Sequence, residues 1–228
     1  MCFVEDSFGD QPHGPELARR YGELIASLWP MRKLAFEDHE MPWPERLLSV
    51  KIATPVSELE VHSAYVPPSS SHGLIKVKTF EAIYRRLARS GDCPRILCGD
   101  FNSPQEEQID GTVVTWGQSI GQKGVVKLRL RGGSQGQWDN AERSVLTGLA
   151  NFDLIDVYRQ IHGYEKQEFS YAFTRKGKTL ARRFDHVFAS SSLNAVSCQY
   201  LIQLREQGLS DHSPIEVGFA PDLHAPPD

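Results

Sequence analysis

The sequence predicts an α/β fold, from three observations: apolar runs of period two, a helical run between two of them, and a short apolar run too brief for a helix. In RLLSVKIAT, Leu48, Val50 and Ile52 alternate with Ser49 and Lys51, the mark of a half-buried strand. ELEVHSAYV repeats the pattern with Leu59, Val61, Ala64 and Val66. The run after Pro67, Pro68 and a Ser/His stretch places Phe80, Ile83, Tyr84 and Leu87 on one helical face, with Arg85, Arg86 and Arg89 largely off it. Ile96-Leu97-Cys98, stopped by Gly99, reads as a buried strand.

Upstream, Leu17, Tyr21, Leu24, Ile25 and Leu28 fall at helical spacing, so an amphipathic helix is expected over Glu16–Trp29. The prolines of MPWPERLL then prevent any helix from continuing. Residues 103–140 are polar and Gly-rich and too long for a simple connection, which points to a functional or mobile insertion. A helix is expected over Asn140–Leu149, and strands at RRFDHVFAS, AVSCQYLIQL and PIEVGFA. The expected division is a segment 1–45 with one helix, a domain 46–220 carrying the insertion 103–140, and a Pro-rich tail 221–228.

The 228 residues are enough for one domain, and no apolar run approaches membrane-spanning length. The acidic, Gly- and Pro-broken start MCFVEDSFGDQPHG lacks both the basic opening and the apolar stretch of a signal peptide. Cys2, Cys93, Cys98 and Cys198 show no paired metal spacing, and their usage points to a reducing, cytoplasmic setting. A net charge of −4 argues against general polyanion binding, leaving two local basic patches, 127–131 and 175–183.

Four clusters carry chemistry. In GDFNSP a buried strand delivers Asp100 and Asn102 at its end, on the same side because they are two apart. The plain alternative is a turn built by Asp, Asn, Ser and Pro. LSDHSPI places Asp211 and His212 directly before a strand. RRFDHVFAS points Asp185 opposite to Phe184, His186 and Phe188, and AYVPP ends a strand at Tyr65. Taken singly, these read as surface polarity, an exposed edge carboxylate and a core tyrosine.

In this order, over roughly residues 45–220, the four clusters resemble the endonuclease/exonuclease/phosphatase superfamily, most closely its exonuclease III-like, AP-endonuclease branch. YVPP with the trailing Lys76, FDLIDVYRQIHG and FSYAF resemble further marks of that branch. The resemblance implies a four-layer α/β sandwich, two packed sheets flanked by helices. It implies His212 as general base on water or as stabiliser of the scissile phosphate, with Asp185 orienting it. Asp100 and Asn102 would position water, phosphate or metal, Tyr65 would contact the phosphate or leaving group, and Asp211 would lie near the metal. Such oxygen donors suit Mg²⁺ or Mn²⁺. Arg159 of the FDLIDVYRQIHG stretch, and Lys127, Arg129 and Arg131 of the insertion, are the expected substrate contacts, with DNA the expected partner.

The chain also departs from the family pattern. Family members open with a strand ending in Asn and a second strand carrying a metal-binding Glu, and neither motif is legible before residue 45. Glu5-Asp6 and Glu16 do not sit in a run that reads as a buried strand, so the N-terminal strands are expected to be missing. A phosphatase or phosphodiesterase acting on a small or lipid substrate, and a non-catalytic relative that keeps the fold, are the alternatives. Metal-dependent activity on abasic-site DNA separates them from the leading reading.

Overall fold

The computed structural model describes residues 1–8, 22–35, 40–68, 73–121, 124–129, 133–175 and 177–220. The chain opens with strands β1 (Phe3–Asp6), β2 (Leu24–Ser27), β3 (Met31–Lys33), β4 (Leu47–Ala53) and β5 (Glu58–Tyr65). Helix α1 (Ile75–Leu87) crosses back to β6 (Arg95–Asp100). Four short strands follow, β7 (Glu106–Glu107), β8 (Val113–Val114), β9 (Gln118–Ile120) and β10 (Val126–Leu128). Next come α2 (Gln137–Leu146), β11 (Ile155–Asp156) and α3 (Val157–His162). A hairpin of β12 (Tyr171–Arg175) and β13 (Lys178–Arg182) leads into β14 (Asp185–Ala189). The described chain closes with β15 (Ala195–Tyr200), α4 (Ile202–Glu206) and β16 (Ile215–Phe219).

Six strands form the central sheet in the order β11-β14-β6-β5-β4-β3. Only β5 and β6 pair in parallel within it, as the α1 crossover between them requires. Strand alternation separates two faces. Ala64, Leu97 and Phe188 pack against Val77, Phe80 and Ile83 of α1 and Trp138, Ala141 and Val145 of α2. On the opposite face Ile96, Cys98 and Val187 meet Val157 and Tyr158 of α3 and Cys198, Tyr200 and Val217 of the antiparallel β15–β16 pair. Leu48, Val50 and Ile52 meet Ile25 of the antiparallel β1–β2 pair on that same face. Helices, a central sheet and a second layer of strands thus make the expected α/β sandwich.

The N-terminal segment corrects the sequence reading. Over its described residues the expected helix Glu16–Trp29 holds the strand β2, in which Ile25 is buried and Leu24 exposed, followed by an exposed Leu28. A short apolar run fits either period. The pairing of Leu24–Ser27 with Phe3–Asp6 decides for a strand, and Glu16 lies outside the described residues. The expected strand AVSCQYLIQL ends at Tyr200 and turns into α4. The 103–140 insertion is partly ordered, with β7–β8 and β9–β10 as small antiparallel pairs and α2 starting at Gln137.

Buried charge ties the chain just before β14 to the insertion. Arg183 reaches Glu107 at 2.6 Å and Asp156 at 2.6 Å, and Arg159 reaches Glu107 at 2.8 Å. Burial would raise the Glu107 carboxyl, but Arg183 and then Arg159 hold it down at about 2. Arg183 likewise holds Asp156 well below the carboxylate range, with His186 helping, against its burial. Removing one member of such a buried set strands the others and costs about 3–5 kcal/mol. Arg183→Ala is therefore expected to lower the unfolding free energy by about that amount in urea denaturation. Because the folded value of Glu107 is depressed from 4.5 to about 2, its stabilisation is complete above pH 4.5 and disappears as pH falls toward 2. In Glu107→Gln that acid sensitivity should be smaller.

Candidate active site

Three strands end side by side. Tyr65 on β5 is opposite Asp100 on β6, and Asp100 is opposite Asp185 on β14. All three lie on the face away from α1, since Gly99, Ala64 and His186 take the other. Gly99 permits this closeness. Its φ is +138°, and a Cβ there would sit 1.9 Å from the Ala64 carbonyl oxygen, so any side chain would drive β5 and β6 apart.

Beyond the strand end, Asn102 adopts a left-handed conformation with φ 47°, which asparagine tolerates better than most residues. Its backbone N–H donates to Asp100 Oδ1 at 2.7 Å and its amide Nδ2 to Asp100 Oδ2 at 2.9 Å and to the Val66 carbonyl at 3.0 Å. The Asn102 carbonyl accepts from buried Lys76 Nζ at 2.7 Å and from Trp116 Nε1 at 2.8 Å. Glu142 accepts from the Ser103 hydroxyl at 2.8 Å and from the Trp116 backbone N–H. Trp116 and Glu142 lie in and just after the insertion, where the sequence offered no signal for this role.

His212 reaches the trio from the loop before β16. Its Nδ1 is 2.7 Å from Asp185 Oδ2, the distance of a charge-assisted hydrogen bond. The ring packs on Tyr171 at 4.8 Å between centroids, tilted by 37°, and Tyr171 stacks in turn on Phe184. Ser170 holds the backbone, its hydroxyl accepting from the N–H groups of Phe184 and Asp185 while its carbonyl accepts from Ser213 N–H. The Tyr200 hydroxyl donates to the Asp185 carbonyl at 2.6 Å. Tyr171, Ser170 and Tyr200 are supports the sequence did not single out, although FSYAF marks the first two.

Burial first, and the Asp185 charge second, push the Asp100 carboxyl up to about 7, against the Asn102 N–H, His212 and Lys76. Burial would lower His212, but the Asp185 hydrogen bond and charge, with Asp100 and Asp211, leave it above its ordinary value. Asp100, Asp185 and His212 each present a ligand atom within 4.8 Å of one another. A carboxylate driven toward protonation by burial and then by its neighbour is a place where a cation is favourable, and the oxygens of the two carboxylates fit Mg²⁺ or Mn²⁺.

The remaining expected residues are placed differently. Asp211 is exposed and lies outside that group of three. The Tyr65 ring is covered by the Arg46 guanidinium at 4.2 Å. Arg159 is buried, with its guanidinium on Glu107 and on the Gly163 and Lys166 carbonyls, so its donors are engaged inside the fold rather than offered to substrate. Lys127 is exposed on β10, Arg129 follows it, and Arg131 lies outside the described residues. Glu5 sits on β1, paired with Lys33 at 3.5 Å.

A family model described as the Endonuclease/Exonuclease/phosphatase family matches residues 7–212. No curated protein sequence matches. Among solved structures, the endonuclease domain of TRAS1, a telomere-specific non-LTR retrotransposon, is similar at 16% identity and TM-score 0.54, over 98% of this chain and 81% of that one. The 3′ phosphatase NExo from Neisseria, bound to product DNA hairpin, is similar at 18% identity and TM-score 0.55, over 86% and 74%. TDP2 from D. rerio, complexed with single-strand DNA product, is similar at 14% identity and TM-score 0.52, over 84% and 67%.

The His212 environment is testable without turnover. An NMR titration of the ring should give a midpoint above the ordinary 6.5, because the raised form is the imidazolium paired with Asp185. Asp185→Asn should move that midpoint down, and an unchanged midpoint would show that the 2.7 Å contact does not govern the ring.

Proposed function

The chain belongs to the endonuclease/exonuclease/phosphatase family, and from that premise we propose that it is a divalent-metal-dependent phosphodiesterase acting on DNA, of the exonuclease III type. The family consists of phosphoester hydrolases, so hydrolysis is the shared chemistry and DNA the finer claim. The observation that carries the reading is the Asp185–His212 hydrogen bond beside Asp100. With Nδ1–H directed to the Asp185 carboxylate, His212 keeps a lone pair on Nε2 and can take a proton from water. Asp185 stabilises the imidazolium that results. The Asn102 amide, donating to Asp100 Oδ2 and the Val66 carbonyl, would hold that carboxylate in position, and the Tyr65 phenol at the same strand ends would contact the phosphate. A divalent cation at Asp100 would neutralise charge building on the phosphoryl group and leaving oxygen.

The choice of DNA is supported by the YVPP loop, the Asp156–Arg159 stretch and the DNA bound to two of the similar structures. Lys127 and Arg129 are proposed contacts to the phosphate backbone, and a role in DNA repair in the cytoplasm is the setting this implies. No helix among the described residues is long and apolar enough to cross a membrane. A small phosphate ester is the second reading, because fold membership leaves the substrate open.

The direct measurement is cleavage of an abasic-site duplex with added Mg²⁺ or Mn²⁺. Activity should vanish with EDTA and fall about 10²–10⁴-fold in His212→Ala. General-base action needs neutral imidazole, so the rate should rise with pH through the raised His212 midpoint. DNA cleavage that persists in His212→Ala would end this assignment. Lys127→Ala with Arg129→Ala should weaken binding and flatten its salt dependence by a slope of about two, one per lost phosphate contact. An unchanged slope would assign that hairpin another task.

A further inference from the structure

We infer that the cavity between the segment after Asn102 and the β12–β13 hairpin is a pocket for a nucleobase, that of a nucleotide flanking the scissile phosphodiester. This deepens the phosphodiesterase reading into a preference for base-bearing substrates. The cavity measures about 800 Å³ and is bordered by Pro104, Glu106 and Ile109 on one side and Phe169, Thr179 and Arg182 on the other. Sites that enclose one small organic group run to roughly 300–1,000 Å³. The cavity lies next to the catalytic residues by chain geometry. Pro104 follows Asn102 by two residues, and Arg183, also in its wall, precedes Asp185 by two. Two residues of chain span at most about 7 Å.

Charge decides the class of ligand. Glu107, in the wall, is neutralised by Arg159 and Arg183. Glu168 accepts from the Tyr158 hydroxyl and pairs with Lys166, while Asp110 accepts from the Thr112 N–H in its own turn. Glu106 lies close enough to act on the Arg182 guanidinium. Among the described wall residues no cation is in surplus, so a second phosphate would meet carboxylates without compensation.

What the wall offers is suited to an uncharged, flat, polar-edged group. Phe169 is 37% exposed and presents a ring, with Pro104 and Ile109 as further apolar surface. Gln108, Gln167 and Thr179 add polar, uncharged side chains to the wall. A base meets uncharged polar side chains at its edge and can lay a π-face on Phe169, at no cost in charge. Base stacking on an aromatic ring is worth roughly five- to hundredfold in affinity.

The test compares a DNA tetranucleotide with its counterpart in which every base is replaced by a tetrahydrofuran abasic unit, titrated against the full chain in EDTA. The wild-type chain is expected to bind the base-bearing oligomer at least about fivefold more tightly. Phe169→Ala and the cavity-filling Thr179→Trp should each remove most of that difference and leave the affinity for the abasic oligomer as it was. Phe169 and Thr179 are exposed, so their variants test the pocket rather than the fold. Equal affinity for the two oligomers, including none for either, overturns the inference, as does a difference that survives Thr179→Trp. Those outcomes do not touch the hydrolytic reading, which stands or falls on turnover and His212→Ala.

Discussion

The site depends on one constraint: β5, β6 and β14 must end in register. Because side chains alternate, a slip of one residue on β14 would turn Asp185 toward the helices and bring His186 to the site. Gly99 sets how closely β5 approaches β6, and the buried row Ala64, Leu97 and Phe188 locks the three strands from behind. The register has an electrostatic penalty, since it sets two carboxylates opposite each other. His212 takes one of them and the Asn102 amide binds the other, while burial still leaves Asp100 near neutrality in its proton affinity. Repulsion of this kind is what makes the location suitable for a cation and for a base of tuned strength.

Around that row the protein fixes backbone rather than adding more reactive groups. Lys76 and Trp116 converge on the Asn102 carbonyl, and Glu142 holds the residues on either side of the insertion's first strands. On the other flank Ser170 and Tyr200 bind the backbone of Asp185. The Glu107, Asp156, Arg159 and Arg183 set anchors the chain two residues before Asp185. Buried ions are a weak source of net stability but a strong source of geometry, because no member can move without leaving another unpaired. A catalytic group within reach of water must hold its position closely, and rigid supports of this type are how a fold does so.

The surroundings of the site, not the fold, decide its substrate. A fold of this kind hosts many functions, whereas the segment after Asn102 and the β12–β13 hairpin lie outside the central sheet. They frame a cavity whose ionised groups largely cancel, beside strand ends where Asp100 and Asp185 face each other. A neutral pocket next to a charged one separates recognition of an uncharged group from chemistry on a phosphate.

The strands β4, β5, β6 and β14 and the helix α1 are legible in the sequence because their apolar periods are local and uninterrupted. So is the proximity of Asp100 to Asn102, which needs only two residues of chain. The N-terminal strand β2 is not, because four residues with one buried side chain look helical until β1 supplies hydrogen-bond partners. The small pairs in 103–140 lack enough apolar residues to announce themselves. Arg159 reads as a free cation in sequence, and only the fold brings Glu107, fifty-two positions away, against it. The sequence by itself determined which residue types stand at the strand ends. Tertiary structure decided that His212 meets Asp185, that Arg159 is engaged, and that a cavity opens beside them, since pairing across distant segments depends on register and strand order, which no local pattern encodes.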